Sequence, residues 1–347
     1  MKKANKIISL SLSAILLGGI LGGCGNKETN DEALGTLKFG VTPGTIRTAV
    51  VLLADHLGYY EQEGVNVELV EVADTTAALT SISLSKGEVD IWGAGIVPDL
   101  NFIANGSDLV IFSGTAAEGG AIISNPENVE AYKDFSNYHD ITIATVRADS
   151  AWVVSRGYLL KLGIDVDNDI KVMEVDSQVN VAEAVNKGEA QLGFLPAEFA
   201  AKYSDSVDVV YEVGELEPMY VCCRQVTSRK TLTDKRDELI AFTKANIKAL
   251  EYYQDEANRD AIVKYLAEYS DQTEEYVYSY LFENRTVMTV APNKDGIVDY
   301  YNSLVNAGYF TGSIDIENHI TTDIYEQALT ELINENPNNS FFPSLAE

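Results

Sequence analysis

Apolar and polar residues follow two periods along this chain, one close to two and one close to 3.6, and the two take turns. Leu37-Lys-Phe-Gly-Val41 reads as a short strand, and residues 42–45 as the turn after it. Thr45 is placed as N-cap for a helix over residues 46–57, whose apolar positions Val50, Leu53, Ala54 and Leu57 recur at helical spacing before Gly58 stops it. Residues 65–72 then predict a strand, 77–84 a helix, and Lys86-Gly-Glu-Val-Asp-Ile-Trp92 a turn entering another strand. Strands alternating with helices in this way predict an α/β architecture with parallel sheet.

The pattern recurs about a hundred residues on. Residues 141–146 read as a strand, Ser150 as the cap of a helix to about Leu162, and residues 170–175 as the next strand. A helix through residues 181–185 leads into Lys187-Gly-Glu-Ala-Gln-Leu-Gly-Phe194. Lys-Gly-Glu thus stands twice, each time between a helix and a strand, and marks equivalent places in two similar lobes. Beyond Arg224 the chain turns helical and acidic, with helices expected over 232–254, 260–269 and 274–282. Their tyrosines, Tyr280 among them, are read as packing residues with a wet hydroxyl.

The first residues change the picture of where the protein works. Lys2, Lys3 and Lys6 precede a 15-residue apolar run over 7–21, too short for a bilayer span and suited to an export signal. The run ends in Leu21-Gly22-Gly23-Cys24, which resembles the bacterial lipobox. That implies cleavage of residues 1–23, acylation of Cys24 and anchorage to the outer face of the cell membrane, with residues 24–35 as a flexible tether. A plain secretory signal with an incidental cysteine is the alternative.

Composition narrows the function. The 347 residues suit about two domains, and 53 Asp+Glu against 25 Lys+Arg give a formal charge of −28, which repels phosphate backbones and argues against a nucleic-acid partner. Three cysteines cannot make a disulfide framework, and three histidines leave little material for a metal site. The adjacent Cys222 and Cys223 are expected as free thiols on a crossing strand. Alternation puts Tyr220 and Cys222 on one face and Val221 and Cys223 on the other.

Several quoted stretches together resemble the substrate-binding proteins of ABC importers, in the branch for nitrate, aliphatic sulfonates, taurine and thiamine pyrimidine precursors. They are Ala54-x-x-Leu57-Gly58-Tyr59-Tyr60-x-x-Glu63-Gly64-Val65-x-Val67-Glu68, Lys86-Gly87-Glu88-Val89-Asp90, Leu159-Leu160-x-x-Gly163-Ile164 and Asn306-Ala307-Gly308-Tyr309-Phe310. The resemblance covers about residues 36–330. It implies a periplasmic-binding-protein-like fold of two α/β lobes whose chain crosses between them twice, near 114–121 and 218–225, with a helical C-terminal extension. Lobe 1 is then 36–116 with 226–330, lobe 2 is 117–225, and 331–347 is a tail. It also implies a monomeric receptor with no catalysis and no cofactor. The receptor captures a small solute between closing lobes and serves a permease and its ATPase.

Ligands of open parallel sheets bind beyond the carboxyl ends of strands. This selects residues 42–47, 92–96, 146–152 and 195–199, and the crossings. The candidate ligand residues are Thr42, Thr45, Arg47, Trp92, Gly93, Ala94, Thr115, Glu118, Asp149, Ser150, Trp152, Glu198 and Tyr220. Helix starts at Thr45 and Ser150 offer N–H groups to an oxyanion, or merely cap. Trp92 and Trp152, the only tryptophans, either sandwich the ligand or pack beside the hinge. Arg47 and Arg147 suit a sulfonate or carboxylate, while Glu118, favoured among the acids, and Asp149 and Glu198 suit an amine or aminopyrimidine; a zwitterion uses both signs. Asp165-Val-Asp-Asn-Asp169 lacks the Gly and Glu of a calcium loop. A thiamine-precursor receptor is the second reading, and a pyrimidine-synthase-like enzyme on the same fold, which would use the Cys222 region, the third.

Overall fold

A computed structural model describes residues 34–284, 286–310 and 314–346. The proposed leader and Cys24 lie outside the described residues, and so does the Glu198 side chain. The chain first lays down β1 (Thr36–Val41), α1 (Ala49–His56), β2 (Asn66–Glu71), α2 (Thr75–Ser83), β3 (Ile91–Gly95), α3 (Ile96–Ala104) and β4 (Leu109–Glu118). The chain then crosses and lays down β5 (Gly120–Ser124), β6 (Ile141–Val146), α4 (Ser150–Lys161), β7 (Ile170–Val175), α5 (Gln178–Asn186), β8 (Leu192–Pro196) and β9 (Asp208–Glu212). It returns as β10 (Val221–Ser228), followed by α6 (Arg236–Gln254), α7 (Arg259–Ser270), β11 (Thr286–Met288), α8 (Lys294–Asn306) and α9 (Asp323–Glu335).

The six-stranded sheet runs β2-β1-β3-β10-β4-β11 and the five-stranded sheet β7-β6-β8-β5-β9. Each opens with three parallel strands and continues with an antiparallel one, β10 in the first and β5 in the second. The repeated tripeptide falls where the two lobes correspond. Gly87 and Gly188 take φ of +72° and +71°, the left-handed turn that lets each chain enter its strand. Three residues on, Asp90 accepts the Lys38 N–H at 2.9 Å and Gln191 accepts the Thr142 N–H at 2.8 Å. Each also returns its own N–H to the same residue's carbonyl at 2.8 Å.

Burial explains which helices stay. Every residue of Ala49–Ala54 in α1 is buried, packed with Phe39 and α6, where Phe242 stacks on Phe39 and Tyr60 at 5.9 and 5.3 Å. Each large apolar side chain buried there contributes about 1.5–3 kcal/mol. Leu332 and Phe342 lie in the same core, so α9 and the turn after it close over the first lobe. No described helix is long and apolar enough to cross a membrane.

Two helix starts differ from expectation. α1 begins at Ala49 rather than Ile46, and its cap residue Thr48 makes no side-chain cap bond; Thr45 instead accepts the Arg47 N–H within the preceding turn. The cap of α4 is Asp149, not Ser150.

Candidate functional site

Between the two sheets lies a cavity of about 190 Å³, and every loop selected from the carboxyl ends of the strands reaches it. Arg47 comes from the loop after β1, Gly95 to Pro98 from the end of β3 and start of α3, Asp149 to Ala151 from the start of α4, and Pro196 from the end of β8. Both crossings pass along the same wall, with Ala116 and Glu118 to Gly120 on one, and Cys222 and Cys223 from β10 at the end of the other.

The helix ends at this wall are not equivalent. α3 starts after Gly95 with no side-chain cap, and Pro98 in its first turn has no N–H to satisfy. Its positive end therefore faces the cavity. At α4 the Asp149 carboxylate accepts the N–H groups of Ala151 at 2.9 Å and Trp152 at 3.2 Å. The oxyanion place expected there is thus filled by the protein's own acid, and Ser150 is a wall residue, not a cap. Burial pushes the Asp149 carboxyl up to about 6, opposed by those two N–H bonds, a hydrogen bond with Gln178 and the positive charge of Arg47. Asp149 thus changes charge within an ordinary pH range.

Glu118 ends β4 with φ of +59°, followed by Gly119 at +82°. Buried to 3% exposure, its Oε1 accepts the N–H of Met219, and its own N–H donates to the Tyr220 carbonyl at 3.1 Å. The two crossings are therefore tied to each other beside the cavity.

Among the predicted residues, the structure brings Arg47, Glu118, Asp149 and Ser150 to the cavity. Thr42, Thr45, Trp92, Gly93, Ala94, Thr115, Trp152 and Tyr220 do not line it. Of the two placements weighed for the tryptophans, their burial fits core packing. Trp92 is 3% exposed and covers Gly40, where a Cβ would come within 2.9 Å of the indole, and Trp152 is 1% exposed against Phe194, ring centroids 5.2 Å apart. Tyr220 stands behind the wall, its hydroxyl filling the space a Cβ on Gly120 would take. Gly93 and Ala94 face the partner strand β10, and Thr115 is buried beside Gly93. Arg147 pairs with Glu174 at 3.1 Å and lies over the Tyr309 ring, away from the cavity.

Sequence reasoning missed Gln178, Tyr280, Thr286 and both cysteines at the wall. Gln178 follows β7, so the carboxyl-end rule applied to that strand would have found it. Tyr280 sits in a π-helical turn, Ser279–Glu283, that no periodicity announces. The cysteines were separated by strand alternation, but β10 is bulged between Val221 and Cys223, and both residues line the cavity.

Comparison with known proteins identifies the family and the fold. The profile of the family described as "ABC transporter, phosphonate, periplasmic substrate-binding protein" matches residues 41–251. No curated protein matches the chain. Among solved structures, a putative periplasmic sulfonate-binding protein from Methylobacillus flagellatus superposes with a TM-score of 0.69 at 14% identity, covering 87% of this chain and 96% of that one. The periplasmic nitrate-binding protein of Synechocystis gives 0.64 at 14% identity, with 88% and 91% covered. A desulfurization enzyme gives 0.57 at 12%, with 86% and 99% covered, so the fold also carries catalysis elsewhere. With its family profile spanning most of the chain and its cavity between two sheets, this chain belongs to the phosphonate-type periplasmic substrate-binding proteins of ABC importers.

Proposed function

We propose that the protein is a lipid-anchored receptor that takes up one small organic solute with an anionic head and an amino end, taurine-like in chemistry, and hands it to a membrane permease and its ATPase. The observation that carries this reading is the division of charge along the cavity. Arg47 belongs to the first lobe, Asp149 to the second, and Glu118 to the crossing that joins them. A zwitterion spanning these groups interacts with both lobes at once, and so favours the closed arrangement by the difference in its contacts between the two states. The anionic head fits the uncapped start of α3 together with Arg47, where a helix end and a guanidinium add. Sulfonate- and nitrate-binding neighbours support an anionic head. Cys24 serves as the anchor, and the receptor acts as a monomer without catalysis.

Calorimetric titration of the reduced protein with taurine, a simple alkanesulfonate and a simple alkylamine tests the reading. Taurine binds one to one and tighter than either half-molecule. Equal affinity for the sulfonate and taurine removes the acids from the site. A second reading, an aminopyrimidine of the thiamine-precursor type, draws on Gln178 and Asp149, which offer amide and carboxyl groups side by side; it predicts binding of a hydroxymethyl-aminopyrimidine in the same titration.

A further inference from the structure

Two thiols meet at one point of the cavity wall. In the pairing of β10 with β4, Val221 lies opposite Ala117 and Cys223 opposite Ala116, so Cys222 is an extra residue. Neighbours in a regular strand point to opposite faces; the extra residue cancels the alternation. Cys222 Sγ and Cys223 Sγ come to 3.2 Å without a disulfide between them, and both residues line the cavity.

Joining the sulfurs directly works against the strand. Adjacent Cα atoms stand about 3.8 Å apart, short of the roughly 4.4 Å at which disulfides usually begin. Cys223 is also held on both sides, opposite Gly95 of β3 and Ala116 of β4. One atom bridging the two sulfurs at their present distance leaves the strand where it is. Zinc is a poor bridge, because a tetrahedral centre with Zn–S bonds of about 2.3 Å holds two sulfurs about 3.8 Å apart and takes three or four protein ligands. Among the described residues no group of three or more His, Cys, Asp or Glu side chains is placed to hold a metal. Trivalent arsenic, with bonds near right angles, brings two sulfurs closer and keeps its own third substituent.

We propose that Cys222 and Cys223 form a chelating site for trivalent arsenicals on the cleft wall, and that an arsenical bound there competes with the solute. The competition rests on the reading of this cleft as the solute site; the chelation does not. An organoarsenic(III) oxide reacts with both thiols to form two As–S bonds, and the arsenic-bound oxygen leaves as one water carrying the two thiol protons. No electrons are transferred.

The test uses the reduced full chain, phenylarsine oxide and native mass spectrometry. The wild type takes up one phenylarsenic group, displaced by a small dithiol but not by a monothiol. In Cys222→Ser and in Cys223→Ser affinity falls about 100-fold, because the second As–S bond forms intramolecularly. Far-UV circular dichroism confirms that both variants fold, and Cys223→Ala repeats the loss without a hydroxyl. Cys24 is common to all these proteins and cannot cause a difference between them. No adduct on the wild type, or equally tight adducts on the single variants, overturns the chelate. An adduct that leaves the taurine titration unchanged overturns the competition and the placement of the solute in this cleft, with the chelate standing.

Discussion

The carboxylate of Glu118, on the first crossing between the lobes, accepts the backbone N–H of Met219, on the second, at 2.8 Å. Both residues hold φ of +59°, a conformation side chains rarely adopt. One buried acid thereby ties together the two chain segments that pass between the sheets. Glu118→Ala removes the acceptor and leaves the Met219 N–H without this partner, at a cost of about 1–3 kcal/mol. Urea unfolding reads this directly, and an unchanged midpoint contradicts the clasp.

The tryptophans make a second prediction. Trp152→Ala costs about 3–5 kcal/mol, the range for emptying a large aromatic site in a core, and is read as a fall in melting temperature. Trp emission in the wild type stays blue-shifted and responds little to solute, since Trp92 and Trp152 are 3% and 1% exposed. A strong solute-dependent quench that vanishes in Trp152→Phe would place the indole at the ligand instead.

Asp149 gives a pH dependence whose sign follows from its burial. Its carboxyl, raised from 3.8 to about 6, holds a proton in the folded protein after the unfolded chain has released one. Its stabilising contribution is therefore complete below about pH 4 and is lost as pH rises through about 6. Asp149→Asn keeps a capping oxygen and flattens this segment of the stability curve. Affinity for an amine-bearing solute moves the other way, rising through about pH 6 as the carboxylate forms. Parallel slopes in wild type and Asp149→Asn would contradict the assignment.

Gly120 opens the second lobe where there is no room for a side chain. A Cβ there lies 2.6 Å from both the Ala151 Cβ and the Tyr220 hydroxyl. Gly120→Ala pushes the start of α4 away from β5, with a loss of about 1–3 kcal/mol and weaker solute binding. Wild-type stability and affinity would show that the crossing yields more easily than this packing implies.

How much of this was legible in the sequence depended on whether local pattern or tertiary packing decided each feature. The Lys-Gly-Glu repeat was legible because the same turn and the same side-chain-to-backbone bond, through Asp90 and Gln191, are needed at the same place in both sheets. The four loop segments were legible because parallel strands put their carboxyl ends on one side. Which residue within each loop faces the cavity was not. Trp92 and Trp152 turn into the core because burying an indole outweighs any local preference, and only the packed neighbours Gly40 and Phe194 reveal it. The cap at Asp149 displaced the one expected at Ser150 by a single residue and so filled the expected anion place. The bulge at Cys222 depends on pairing with β4, more than a hundred residues earlier in the chain.

Titration calorimetry with taurine on the wild type, Arg47→Gln and Asp149→Asn, followed by recovery of the solute, tests the central claim most directly. The wild type binds one equivalent and releases it chemically unchanged. Each variant loses about 10- to 100-fold in affinity, the worth of one charge-assisted hydrogen bond. Undiminished binding in both variants, or recovery of an altered product, would contradict the account.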